Sequence, residues 1–226
     1  MKETNPGKQH PWTRHLFYRS EVLRTTWKLR LSVLLLAVVL IPATHRIWAP
    51  KIAEGLICKE QILPSDAFLL ENFDQDYLVF EHTRTLQATG VATKAYVPIM
   101  KDEKRGGLDV VLKGTAELMA RVAWLESMEF VPIDEHEPIS LNAAKQIRDV
   151  LVSQKVKSII VVTPVFRSRR SLMIYDSVLA PAGITVRCSP VIGLKTTDNW
   201  TQTWHGIQEI TEQFIKLQYY RFWLLR

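Results

Sequence analysis

A chain of 226 residues that is 47% hydrophobic and 23% charged has room for one ordinary globular domain plus an appendage, which excludes a disordered or fibrous protein. Its net charge of +6 suggests a nucleic-acid partner only until it is divided by position: residues 1–30 hold seven Lys/Arg against Glu3 and Glu21, leaving +1 for everything else. No nucleic-acid partner is therefore expected for the domain, and Cys58 and Cys188 match no metal-ligand spacing.

Residues 1–28 lack a sustained apolar period and read as a basic leader. From Leu31 to Thr44 there are 14 uncharged residues, and Ile47-Trp48-Ala49 extend the apolar character past His45 and Arg46. Counted as 29–49 the stretch reaches the length of a transmembrane anchor, with Trp27 and Trp48 at its ends where interfacial tryptophans belong. A cleavable signal peptide is the rival reading, although the leader ahead of the apolar run is long for one. The excess of Lys/Arg before the run predicts a cytoplasmic N-terminus in the inner membrane and a domain on the external side.

After a connector at 50–64, residues 65–226 alternate apolar runs with helical patterns. Strands are expected at 66–71, 92–97, 130–133, 158–162 and 184–188, the third at an edge because of Pro132. Helices are expected at 77–88, 108–124, 140–152 with Ser140 as N-cap, 168–179, and 200–223 with Trp204, Ile207, Phe214 and Leu217 on one apolar stripe. The polar run 101–107 is a surface loop. This alternation predicts an α/β fold: a Rossmann-like, doubly wound, mostly parallel sheet of about five strands behind one transmembrane helix. In that arrangement a strand separates Cys58 from Cys188, so the two are not expected to pair.

The organising stretch is Ser158-Ile159-Ile160-Val161-Val162, a non-alternating β-branched run that reads as a strand buried on both faces. Thr163-Pro164-Val165-Phe166 and three arginines, Arg167, Arg169 and Arg170, lead from it into the helix at 168–179. The loop falls at the carboxyl end of the sheet, where ligands bind and where free helix amides favour anions. Read either as a solvated first turn or as an anion site, the arginines oppose the helix dipole and need a separate reason to be there. Other polar residues follow strands: Glu71, Asp74 and Asp76, then Glu135, His136 and Glu137 ahead of Ser140 and Asn142, then Thr163. No Gly-rich phosphate loop, zinc-binding helix motif or nucleophile elbow is present. The binding candidates are Glu71, Asp76, Glu137, Ser140, Asn142, Thr163, Arg167 and Arg170; no metal site is expected, and neither a catalytic residue nor a cofactor is assigned. The Tyr219–Trp223 cluster either packs on the sheet, the favoured reading, or lies at the membrane surface.

The stretch Ser140 to Leu151, with Ile160-Val161-Val162-Thr163, Arg167-Ser168-Arg169-Arg170 and the closing Leu217-Gln218-Tyr219-Tyr220, resembles the bacterial YdcF/SanA/ElyC-like envelope family. The resemblance covers about residues 62–223 and is firm from Ser140 onward. It implies a Rossmann-like fold, makes Ser140 the hydroxyl position of the motif, starts the loop at Thr163, and matches Arg170 to the family's arginine. Here Asn72-Phe73 stand for the usual Gly-Gly, Ala143 for an acidic or amide residue, Pro164 for a Ser, and Arg167 for a His. Without that His no obvious proton-transfer group remains in the loop. The expected function is an anchored envelope domain that binds a phosphate- or carboxylate-bearing ligand, such as a lipid-linked or polysaccharide precursor. The alternative is a non-catalytic scaffold in an envelope or export assembly.

Overall fold

The computed structural model describes residues 26–102 and 106–224, so the leader at 1–25 and the tip of the 101–107 loop lie outside the described residues. Two units are distinct, one ending at His45 and one beginning at Arg46. In the first, α1 (Trp27–Ala43) starts from Thr26, whose Oγ1 accepts a hydrogen bond from Leu29 N, and buries none of its residues.

The expected single helix over 29–49 is corrected: α1 stops at Ala43, and a second helix, α2 (His45–Glu54), begins after Thr44. Among the described residues no single helix is long and apolar enough to cross a membrane; α1 and α2 reach that length and composition only together. Ala49 and Ala53 of α2 are buried in the second unit with Leu56, Val165, Phe166, Trp200, Ile210 and Leu217. Residues 46–49, counted as anchor from their hydropathy, thus belong to the domain.

That domain holds five strands, β1 (Ala67–Leu70), β2 (Lys94–Met100), β3 (Met128–Ile133), β4 (Ser158–Pro164) and β5 (Thr185–Val191). They form an all-parallel sheet of order β3-β2-β1-β4-β5. Helices α3 (Tyr77–Ala88) and α4 (Val110–Ala123) cover one face, burying Val79, Phe80, Ala116 and Ala120 against Phe68, Leu70, Val97 and Ile160. The other face carries α5 (Ile139–Ser153), α6 (Ser168–Leu179) and part of α7 (Trp204–Leu224), which cover Leu69, Tyr96, Val131 and Val161. The change of side between β1 and β4 is the topological switch point, where an open sheet of this kind leaves a crevice. Ile159 to Val162 are wholly buried because they face helices on both sides.

The prolines obey the ladder. Ala95 N–H donates to Ser127 O on the β3 side, so Pro98, three residues on, turns its missing donor toward β1, beyond the last β1 pair Leu69↔Tyr96. Strand β2 therefore runs through Pro98 to Met100 instead of breaking there. Pro132 sits in edge strand β3 as expected: Ile133 O accepts from Lys101 N, so the neighbouring Pro132 faces outward.

One helix start, one helix face and one disulfide differ from expectation. Pro138, not Ser140, is the N-cap of α5, and Ser140 lies in its first turn. In α7 the buried residues are Gly206, Ile210, Gln213, Leu217 and Tyr220, whereas Trp204, Ile207 and Phe214 are exposed. Cys58 and Cys188 are bonded, with Cα atoms 6.5 Å apart. The connector does not enter the sheet beside β1; it first runs along the free edge of β5, where Gln61 N–H donates to Cys188 O at 2.9 Å. Consequently no strand lies between the two cysteines.

Candidate functional site

The crevice at the carboxyl ends of β1 and β4 is a cleft of about 400 Å³ that includes Glu71, Phe73, Asp74, Glu137, Ser140, Arg167, Arg170, Lys216 and Tyr220 in its lining. Its floor is built from two buried residues in adjacent strand ends. Glu71, just past β1, accepts hydrogen bonds through Oε2 from Thr163 Oγ1 at the end of β4 and from Ser171 Oγ on α6, the latter at 2.5 Å. Glu71 is 3% exposed and Thr163 is fully buried. Two hydroxyl donors on one carboxylate oxygen fix its orientation.

The arginines divide their work. Arg170 is buried; it donates from Nη1 to Ser140 Oγ at 3.1 Å and from Nη2 to Gln213 Oε1 at 3.2 Å, and lies over the Tyr220 ring at 5.6 Å. Arg167 is largely buried and pairs with the exposed carboxylate of Asp74. Burial lowers the Arg167 pKa, while the negative Glu71 nearby pushes it back up. The Nε atoms of both arginines are buried without a hydrogen-bond partner among the described residues. Arg169 points outward and donates to Gly55 O at 3.2 Å.

These contacts give the reason for cations at the start of α6 that the dipole alone does not. The helix amides, however, are not free for an anion as expected: Arg169 N–H donates to Leu56 O at 3.0 Å and Ser168 N–H to Val165 O. Ser168 Oγ in turn accepts from Cys58 N–H at 2.9 Å, so the connector caps this helix. Any affinity for anions in the cleft comes from cationic side chains, the guanidiniums of Arg167 and Arg170 with Lys216 at the lining.

Of the eight candidates, the structure brings Glu71, Ser140, Thr163, Arg167, Arg170 and Glu137 to one place, Thr163 only through Glu71. Asp76 is instead the N-cap of α3, accepting from Leu78 N–H at 3.0 Å. Asn142 holds the preceding loop through His136 O and Glu137 O, at 3.1 and 2.9 Å. The sequence reading passed over Ser171 and Gln213, which look like ordinary polar helix residues until α6 and α7 are packed together. It also passed over Asn72 as a site residue, although both of its side-chain polar atoms are buried without a partner among the described residues. The Tyr219–Trp223 cluster splits: Tyr220 is buried and its hydroxyl accepts from Ser140 N–H at 3.1 Å, whereas Phe222 and Trp223 remain exposed.

Buried Tyr175, in the core behind the cleft, has its phenol pushed well above its ordinary pKa by burial and by the charge of Glu71, so it stays neutral. No histidine is among the lining residues, and among the described residues no cluster of three or more His, Cys, Asp or Glu is placed to hold a metal. The chemistry on offer is two oriented guanidiniums, one fixed carboxylate and aromatic walls. The chain matches no protein-family model, and no curated protein or solved structure is significantly similar to it.

Proposed function

We propose that this is a membrane-anchored, extracytoplasmic domain of the YdcF/SanA-like kind that binds a phosphate- or carboxylate-bearing envelope ligand in the β1/β4 cleft. The observation that carries the reading is the pair Arg167 and Arg170, both turned into the cleft with a buried, unpartnered Nε. A buried guanidinium donor left unpaired costs free energy that a bound oxyanion recovers. The tyrosine ring and Phe73 suit a ligand with an apolar or sugar portion beside its charge.

Independent features support this compartment. The disulfide is of a type retained in oxidising surroundings. The apolar α1, preceded by a basic leader, fits insertion with the N-terminus in the cytoplasm. Titration calorimetry of the full chain in detergent, with inorganic phosphate, pyrophosphate and a sugar phosphate as probes, tests the binding reading. Saturable heat from at least one of them, displaced by the others, is expected. No heat from any of the three overturns it.

A further inference from the structure

A second groove lies away from the cleft, between α2 and the last turns of α7. Its volume is about 470 Å³, and its walls are Trp48, Ile52, Phe214 and Leu217. Phe214 is 46% exposed and Ile52 37%, so an apolar surface is open to whatever adjoins it. Three cations, Lys51, Arg169 and Arg221, border it, and no carboxylate is among the lining residues. On α7 the contributing positions 214, 217, 218 and 221 recur at helical spacing, which makes the groove one continuous helix face.

We infer that this groove docks on the bilayer itself, taking an anionic phospholipid headgroup between the three cations while its apolar walls meet the first acyl carbons. The inference rests on the proposed membrane anchor. Two observations select the occupant. The charged residues of the lining are all cations around apolar walls, the pairing that a headgroup–acyl boundary presents and that an ordinary protein surface lacks. In addition, α2 starts two residues after the end of the apolar α1, and Ile47 in its first turn is 66% exposed, so the groove belongs to the part of the domain covalently nearest that helix. The groove is separate from the β1/β4 cleft, with which it shares no lining residue.

The full chain in phosphatidylcholine nanodiscs, with and without phosphatidylglycerol, provides the test by hydrogen exchange. Residues 46–56 and 214–223 should exchange about tenfold or more slowly when phosphatidylglycerol is present, given three cations near the surface. Lys51→Glu/Arg221→Glu should abolish that difference while keeping the Arg169 bond to Gly55 O, which guards against a trivial loss of fold; adding Arg169→Glu should change nothing further. Equal exchange in both lipids, or a double variant that keeps the protection, overturns the inference. Protection that follows protein concentration and not lipid also overturns it and assigns the groove to a second copy. Exchange across α1 is read in the same experiment: if α1 is unprotected in both discs, the anchor reading falls and this one falls with it, whereas a protected α1 with lipid-independent α2 and α7 removes only the groove.

Discussion

Arg170 reaches from α6 to Ser140 on α5, its Nη1 3.1 Å from the serine oxygen, and so joins the two helices at the mouth of the cleft. The same guanidinium spends Nη2 on Gln213 of α7, and its Nε is buried without a partner among the described residues. Arg170→Ala should weaken binding of a phosphate probe by about 1.5 to 3 kcal/mol, the scale of a charge-assisted hydrogen bond. Arg169→Ala, with its guanidinium outside the cleft, should change affinity by less than about 0.5 kcal/mol. Calorimetric titration compares them; equal losses mean a diffuse basic surface and not a built site.

Gly206 in the first turn of α7 faces the backbone oxygen of Trp200, so closely that a Cβ at this position overlaps it. Trp200 is buried, donates to Ala49 O at 3.1 Å and stands edge-on to Trp48. Gly206→Ala should therefore lower stability by about 2 kcal/mol or more, because backbone must move. Gly114→Ala, mid-helix in α4 with open space around the new methyl, should raise stability by about 0.5 to 1 kcal/mol. Urea unfolding of the two variants decides whether the α2–α7 packing is as tight as described.

What was legible in the sequence was whatever rested on local pattern. The run Ile159–Val162 and the helix Ser168–Leu179 announce themselves through β-branching and helical spacing, and the edge position of β3 through Pro132. The α7 stripe was misread because Trp204, Ile207 and Phe214 are apolar yet exposed, while the side that packs includes Gly206 and Gln213. The N-cap of α5 was misplaced because a serine is a better cap by type than Pro138, but Ser140 is used across helices instead. Glu71 meeting Thr163 was foreseeable from the switch point, since both residues end neighbouring strands. Ser171 and Gln213 were not, since only the docking of α6 and α7 aims them inward.

The disulfide was the least legible feature, because it depends on the path of a connector with no regular structure. It spans 130 positions, a long loop in the unfolded chain. Replacing both cysteines by serine should cost about 3 to 5 kcal/mol. The loss should appear mainly as a freed connector: Ser168 Oγ and Leu56 O, which hold the start of α6, would lose their fixed partners. Denaturant unfolding with and without reductant measures the cost. An unchanged midpoint in reductant would falsify this role for the bond.

Asp66, entering β1, supplies the clearest pH effect. Its Oδ2 accepts from Lys157 N at 2.7 Å, Ser158 N at 2.9 Å and Ser158 Oγ at 3.1 Å, tying the start of β1 to that of β4. The Lys157 amide above all draws its pKa below the ordinary carboxylate value, against a smaller opposing effect of burial. With the folded value depressed, the ionised group adds stability fully present above the unfolded pKa of about 3.9, and this is lost as pH falls through the folded value. Because the site is exposed to solvent, the effect should not exceed about 1 kcal/mol. Asp66→Asn should accordingly be less stable than wild type by a constant margin from pH 5 to 7, and the margin should close in acid below the folded pKa. Urea midpoints across that range provide the check: a margin that stays the same in strong acid would mean that the side chain acts through shape and neutral hydrogen bonding alone, with no contribution from its charge.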